Sequence, residues 1–244
     1  MQLGLIGYPL SHSFSPKYFT EKFMRENLKG HTYESFPLAN ISKFPELLKN
    51  HPELSGLNVT IPYKQDIIPL LDNIDETAKA IGAVNTVVID PNGHTKGFNT
   101  DVIGFLAPIE NQIKDIKSAL ILGSGGASKA VVYALQDCGV EVQVVSRNPI
   151  NTQSISYEQL NHIDTYDLIV NCTPLGMSPN ESSYPRIPYD RLNQKQTLYD
   201  LVYNPAETVF LRKGSEQGCK AINGYPMLVA QAEASWDIWK NNKH

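Results

Sequence analysis

Two rhythms of apolar residues alternate along the chain. Short apolar runs at 2–7, 33–36, 119–122, 140–145, 166–172 and 197–201 have the length of buried strands. Around them, at 41–49, 103–111, 128–138 and 227–239, apolar residues recur every three or four positions, the spacing of one helix face. Another helix runs to Asn27 with Pro16 in its first turn, where the missing proline N–H costs nothing. Alternating strands and helices of these lengths predict an α/β fold.

The pattern is tightest at 118–148, SALILGSGGASKAVVYALQDCGVEVQVVSRN. A strand at 119–122 runs into a turn containing Gly123, Gly125 and Gly126. A helix at 128–138 follows, with Ala130, Val131, Ala134, Leu135 and Cys138 on one face and Gly139 at the C-cap. A second strand, 140–145, completes a βαβ unit, the opening of a Rossmann-type doubly wound domain. Its first turn offers backbone N–H groups and a helix N-terminus to an anion, so the expected ligand is a dinucleotide pyrophosphate. Gly123 permits the tight turn, Gly125 lets a phosphate approach the backbone, and Ser128 stands where the fingerprint prefers Gly or Ala. A glycine turn alone also arises for purely structural reasons; here a readable strand precedes it and a readable helix follows. The second strand ends in Ser146-Arg147-Asn148 rather than in an acid that would accept from ribose hydroxyls. Arg147 offers a planar fork to a phosphate, which favours NADP over NAD.

Composition narrows the remaining choices. The chain has 244 residues, 41% of them hydrophobic, enough for one large or two modest domains. A net charge of −4 gives no general attraction to nucleic acid or to an anionic membrane. No apolar run reaches the length of a membrane span, and the first ten residues lack a signal-peptide pattern, so the expected location is the cytoplasm. Cys138, Cys172 and Cys219 are scattered and read as reduced, mostly packed thiols; the six histidines show no ligand spacing, so no metal site is expected. Monomer and homodimer both suit this composition.

Polar residues gather where strands end. The first strand runs into a hydroxyl-rich loop, Tyr8 to Pro16, in which Ser13 and Ser15 face one way if the segment is extended. Taken alone, such a loop is more often a capped helix start than a ligand site. At 56–64 a short strand leaves through Pro62 to Lys64; burial lowers the cost of a lysine's losing its proton, making it a candidate acid or base, although an arbitrary lysine is ordinarily solvated. Asn85 opens a strand at 81–88, and 97–101 forms a polar turn ending in Asp101. Downstream, the strands at 166–172 and 197–201 end in 173–177 and 202–205, at the carboxyl edge where a parallel sheet places its ligand. Residues 178–193 read as a long surface loop. The last helix carries a stripe of Leu228, Val229, Ala232, Trp236 and Trp239 suited to docking on a sheet.

Taken together, PLSHSFSP (9–16), NVTIPYK (58–64), GAVNT (82–86), GFNTD (97–101), LGSGGASKA (122–130), NCTPLGM (171–177), YDLVYNP (199–205) and NGYPMLVAQA (223–232) make the chain resemble the shikimate dehydrogenase family along nearly its whole length. The resemblance implies reversible, NADPH-dependent reduction of 3-dehydroshikimate to shikimate, on the route to chorismate and the aromatic amino acids. It implies an N-terminal α/β substrate domain, 1–101 plus a returning helix at 225–244, and a cofactor domain at 102–224. Lys64 and Asp101 resemble the catalytic pair. Ser13, Ser15 and Thr60 look like ligands of the substrate carboxylate, Asn85 like a hydroxyl contact, and Gln231 like a reach from the last helix. Tyr203 and Gly224 resemble residues where substrate and cofactor adjoin. Cofactor contacts carry over to Gly123, Ser124, Gly125, Gly126, Ala127, Ser128, Ser146, Arg147, Asn148, Thr173, Leu201 and Gly224. Hydride transfer to a ketone leaves negative charge on oxygen, and a proton-donating cation such as Lys64 answers that need.

Two departures stand out. Ser146-Arg147-Asn148 replaces the family's Asn-Arg-Thr, and the further basic residue is missing around Asn151, which predicts a weaker preference for NADP. Tyr18-Phe19 replaces a His-Asn pair after the serine loop. The rival readings are a broader shikimate/quinate dehydrogenase, a methyltransferase, which would ordinarily place an acid after the second strand, and an NADP(H)-sensing module, which has no need of Lys64 and Asp101.

Overall fold

The computed structural model describes residues 1–10, 13–149 and 154–242. Ser11 and His12 of the serine loop, and Asn151, lie outside the described residues. The chain groups into two compact units, 1–100 with 232–244 and 101–231.

In the first unit, β1 (Gln2–Gly7), α1 (Phe14–Arg25), β2 (Thr32–Pro37), α2 (Phe44–Asn50), β3 (Leu54–Val59), β4 (Asn73–Ile74), α3 (Glu76–Ile81), β5 (Thr86–Ile89) and β6 (Thr95–Phe98) follow in order. They build a mixed sheet in the order β2-β1-β3-β5-β6-β4. β1 runs parallel to β2 and β3, whereas β5 is antiparallel to both β3 and β6. Successive side chains point to opposite faces, so Leu3 and Leu5 enter one core and Ile6 the other; Val88 and Val87 divide in the same way. One face packs on Phe44, Leu47 and Tyr63, the other on Phe19, Phe23, Trp236 and Trp239.

The second unit contains α4 (Asp101–Leu106), β7 (Ser118–Leu122), α5 (Gly126–Asp137), β8 (Glu141–Val145), β9 (Ser154–Ile155), β10 (Leu168–Asn171), β11 (Thr197–Asp200), α6 (Val209–Glu216) and β12 (Lys220–Ile222). Its sheet is wholly parallel in the order β12-β11-β10-β7-β8-β9, the doubly wound dinucleotide-binding order. Ala119 and Ile121 enter one core, Leu120 and Leu122 the other, giving the near-continuous apolar run of a strand buried on both faces. α7 (Tyr225–Asn241) closes the chain.

Several expectations shift. The seams fall after Thr100 and Gln231 rather than after Asp101 and before Tyr225, because the start of α7 sends Met227 into the second unit's core while Ala232, Trp236 and Trp239 join the first. The helix expected at 103–111 begins at Asp101 and tightens into a 3-10 turn at 107–109, where Pro108 lacks the N–H an α-helix needs. The strand expected at 81–88 starts only at Thr86; Ile81 ends α3, and Gly82 at φ +69° terminates that helix. The stretch 178–193 is no mere surface loop, since Ile187 and Leu192 are buried in the core. Cys138 is exposed rather than packed.

Candidate active site

In the first unit, topology brings the polar loops to one sheet edge. β1 and β3 are parallel and β5 opposes β3, so the end of β1, the end of β3, the start of β5 and the end of β6 share that edge. The loops are tied there: Tyr8 N donates to Ile61 O at 3.1 Å and Thr60 N to Ile6 O at 2.9 Å. A Cβ on Gly7 would lie 2.4 Å from Thr60 Cγ2, so only glycine lets the loops approach this closely.

Lys64 is half-buried in the turn that leaves β3. Its carbonyl accepts from Val84 N at 2.7 Å, and the flanking Tyr63 is buried, its hydroxyl donating to Leu38 O at 2.5 Å. The backbone that presents the lysine is therefore fixed on both sides. Asn85 is buried, and its Oδ1 accepts from Thr100 N at 2.8 Å and Thr86 Oγ1 at 3.0 Å while its Nδ2 donates to Thr100 Oγ1 at 3.0 Å. Asn99 Nδ2 donates to Ala83 O at 2.9 Å. These bonds hold the turn that hands the chain to Asp101, which opens α4 and is 5% exposed.

Ser13 is the extended residue before α1, and its side chain makes no capping bond. Ser15 already lies in the first helical turn, which corrects the extended reading of the pair: α1 begins at Phe14, and Pro16 sits where no helical N–H is required. Ser15 bonds the buried Tyr33 hydroxyl, whose pKa is pushed up by burial.

In the second unit, β7 meets β10 on one side and β8 on the other, the point where the winding reverses and nucleotides bind. Gly123 has φ +109°, and a Cβ there would lie 2.9 Å from Thr173 Cγ2. A Cβ on Gly125 would meet nothing within 4 Å, so that position is open rather than packed. Gly126 and Ala127 begin α5, whose N-terminus takes no side-chain cap, and the buried Ser128 donates to Gly123 O at 2.8 Å. A helix start left uncapped behind an open glycine fits a pyrophosphate. At the end of β8, Ser146 Oγ lies 3.2 Å from Ser124 Oγ and accepts from Asn148 N at 3.3 Å, beside the exposed Arg147 and Asn148. Hydroxyls and a guanidinium there suit a phosphate.

The loop after β10 is braced from below. Thr173 N and Oγ1 donate to Asn171 Oδ1 at 3.0 and 2.6 Å, and Asn171 Nδ2 donates to Asp200 Oδ1 at 2.9 Å. Asp200 also accepts from Val202 N at 3.0 Å and Thr208 Oγ1 at 2.6 Å, yet burial outweighs these bonds and holds its carboxyl up at about 6. Leu201 is half-buried, and a Cβ on Gly224 would lie 2.2 Å from its carbonyl oxygen, so residue 224 must be glycine. Tyr203 is half-buried, with its pKa raised by burial. Gln231 Nε2 donates to Leu228 O at 3.0 Å within α7.

Ser13, Ser15, Thr60, Lys64 and Asn85 belong to the first unit, and Asp101, Tyr203, Gln231 and the residues expected to hold the cofactor belong to the second. Sequence reasoning missed the residues that brace them: Tyr33, Asn58, Thr86, Thr100 and Ser235 in one unit, Asn171 and Asp200 in the other. Asn58, Thr86, Thr100, Asn171 and Asp200 carried one sequence signal, membership of the motif stretches, whereas Tyr33 and Ser235 lie outside them and carried none. Among the described residues, no group of three or more His, Cys, Asp or Glu could hold a metal, and no helix is long and apolar enough to cross a membrane.

Comparison with known proteins agrees with this architecture. Residues 5–87 match the family model described as the shikimate dehydrogenase substrate binding domain. A shikimate dehydrogenase (NADP(+)) of Methanococcus vannielii is 37% identical, covering 99% of this chain and 92% of that protein. Shikimate 5-dehydrogenase of Thermus thermophilus, solved in complex with NADP(H) and shikimate, is 32% identical with a TM-score of 0.86 over 99% of this chain and 94% of that one. Quinate dehydrogenase of Corynebacterium glutamicum, solved in complex with NAD, is 31% identical with a TM-score of 0.88 over 99% of this chain and 94% of that one. The chain belongs to the shikimate dehydrogenase family.

Proposed function

We propose that this chain reversibly reduces 3-dehydroshikimate to shikimate with NADPH, in the pathway that leads to chorismate and the aromatic amino acids. The observation that carries the reading is the meeting of the serine loop, the Thr60–Lys64 exit and the Asn85 turn at one sheet edge, inside the stretch matched to a substrate binding domain.

Ser13 and Ser15 hydroxyls, with Thr60, bind the ring carboxylate, and Asn85 bonds a ring hydroxyl. Lys64, held by the Val84 bond to its backbone, places its ammonium at the carbonyl oxygen. Arg147 with Ser124 and Ser146 would hold the phosphate end of NADPH, which when bound would supply the hydride. As negative charge develops on the carbonyl oxygen, Lys64 stabilises it and donates a proton; in the reverse direction the neutral amine takes the proton back. Asp101 accepts from a second ring hydroxyl, which fixes the carbon that receives the hydride. Tyr203 and Gln231 resemble further substrate contacts of the family. The free thiols of Cys138, Cys172 and Cys219 suit the reducing cytoplasm.

The likeness to a quinate dehydrogenase solved with NAD favours one second reading, a broader enzyme that also accepts quinate or NAD+. Purified protein mixed with shikimate or quinate and NADP+ or NAD+, followed by nicotinamide absorbance, tests both. Turnover largely confined to shikimate with NADP+ supports the main reading, comparable rates with quinate or NAD+ support the second, and no turnover with any pair refutes both.

A further inference from the structure

Ser235 of α7 is 0% exposed. Its hydroxyl lies 2.8 Å from Thr86 Oγ1, 3.2 Å from Thr100 Oγ1 and 3.1 Å from Asn58 Nδ2. The neighbours limit where the protons can go. Thr100 N–H is an obligate donor to Asn85 Oδ1 at 2.8 Å, so the amide end facing Thr100 Oγ1 at 3.0 Å is a donor. Asn58 Oδ1 accepts from the Tyr33 hydroxyl at 2.7 Å, so its Nδ2 donates to Asn85 O at 3.2 Å and to Ser235 Oγ. One proton remains on each of the Thr86, Thr100 and Ser235 hydroxyls.

One assignment gives each of them an acceptor and closes a loop. Thr100 donates to Ser235, Ser235 to Thr86 and Thr86 to Asn85 Oδ1, while Asn85 Nδ2 returns the chain to Thr100. The bonds of this ring all run in one direction and reinforce one another. We infer that Ser235 is a positioning residue, closing the ring that sets the Asn85 amide and places Thr100, the residue before Asp101. Alanine keeps the helix and the Cβ but removes the buried hydroxyl and opens the ring. Thr86 Oγ1 would keep only Asn58 Nδ2, at 3.3 Å, as a donor, and the Thr100 hydroxyl would turn to its alternative acceptor, Asn85 Oδ1 at 3.2 Å. The inference rests on the shikimate dehydrogenase reading and extends it to how the ring hydroxyls are recognised.

The test compares wild type with Ser235→Ala, Thr86→Val, Thr86→Ser and the double Ser235→Ala/Thr86→Val, measuring kcat and KM for shikimate and for NADP+. Ser235→Ala lowers kcat/KM for shikimate roughly tenfold while KM for NADP+ stays within about twofold. Thr86→Val, which deletes the hydroxyl and keeps the shape, does the same, and Thr86→Ser stays near wild type. The double variant costs no more than either single change, because an opened ring cannot be opened again. Shikimate kcat/KM within about twofold of wild type for both Ser235→Ala and Thr86→Val overturns the inference, as does a parallel rise in KM for NADP+. If Ser235→Ala does not fold, the Thr86→Val and Thr86→Ser pair makes the same comparison. A wild type that neither binds nor oxidises shikimate overturns the activity itself, a result distinct from an active enzyme with indifferent variants.

Discussion

Asp200→Asn removes a buried charge beneath the loop after β10 while keeping the side chain's shape. The carboxyl is 0% exposed, and burial raises its pKa from 3.8 to about 6 despite the bonds from Asn171, Val202 and Thr208. The folded protein therefore holds this proton more tightly than the unfolded chain. Asp200's contribution to stability is greatest below pH 4, falls as pH rises between about 4 and 6, and stays at its low value above. About two pH units at about 1.4 kcal/mol each give about 3 kcal/mol in all, of which about 2 is lost between pH 4 and 6.5. Asparagine cannot ionise. Its Oδ1 keeps the bonds from Asn171 and Val202, and its amide faces Thr208, whose hydroxyl also accepts. Urea unfolding at intervals from pH 4 to 7.5 reads the effect. The unfolding free energy of the variant minus that of wild type rises by about 2 kcal/mol with pH and levels off near neutrality. Other carboxyls titrate in both proteins and cancel. A difference that stays flat across this range, or falls with pH, refutes the reasoning.

Two further outcomes follow, one from the proposed phosphate contact and one from packing. Arg147→Ala raises KM for NADP+ roughly tenfold or more and leaves KM for NAD+ nearly unchanged, because the guanidinium answers only the extra phosphate; steady-state kinetics with both cofactors checks it. Gly56→Ala places a Cβ 2.3 Å from Trp239 Nε1, which donates to Val87 O at 3.0 Å, and costs about 1 to 3 kcal/mol of stability in urea melts with little change in KM for NADP+.

The βαβ unit was legible because its signals are local. The helix face repeats within α5, and Gly139, at φ +77°, ends the helix as its position foretold. The β5–β6 hairpin was missed although Asn92-Gly93 marks its turn, where Asp90 Oδ1 accepts from Asn92 N at 2.8 Å. α3 was missed although Asp75 caps it and Gly82 ends it. Its six residues are too few for a periodicity to register. α6 and β12 were likewise too short to read. The motif residues Lys64, Asn85 and Asp101 stood out by resemblance, but their supports did not. The ring through Thr86, Thr100 and Ser235 joins residues up to 149 positions apart, and the Asn171–Asp200 bond spans 29. Such bonds exist only once the sheet has brought strands into register, so neither spacing nor composition announces them.

The central claim is that Lys64 carries the proton in shikimate oxidation. Its most direct measurement is kcat for Lys64→Ala at saturating shikimate and NADP+, alongside shikimate affinity by calorimetry. The account predicts a loss of roughly 10² to 10⁴ in kcat with shikimate affinity changed less than about threefold. Near-normal turnover in that variant would contradict it.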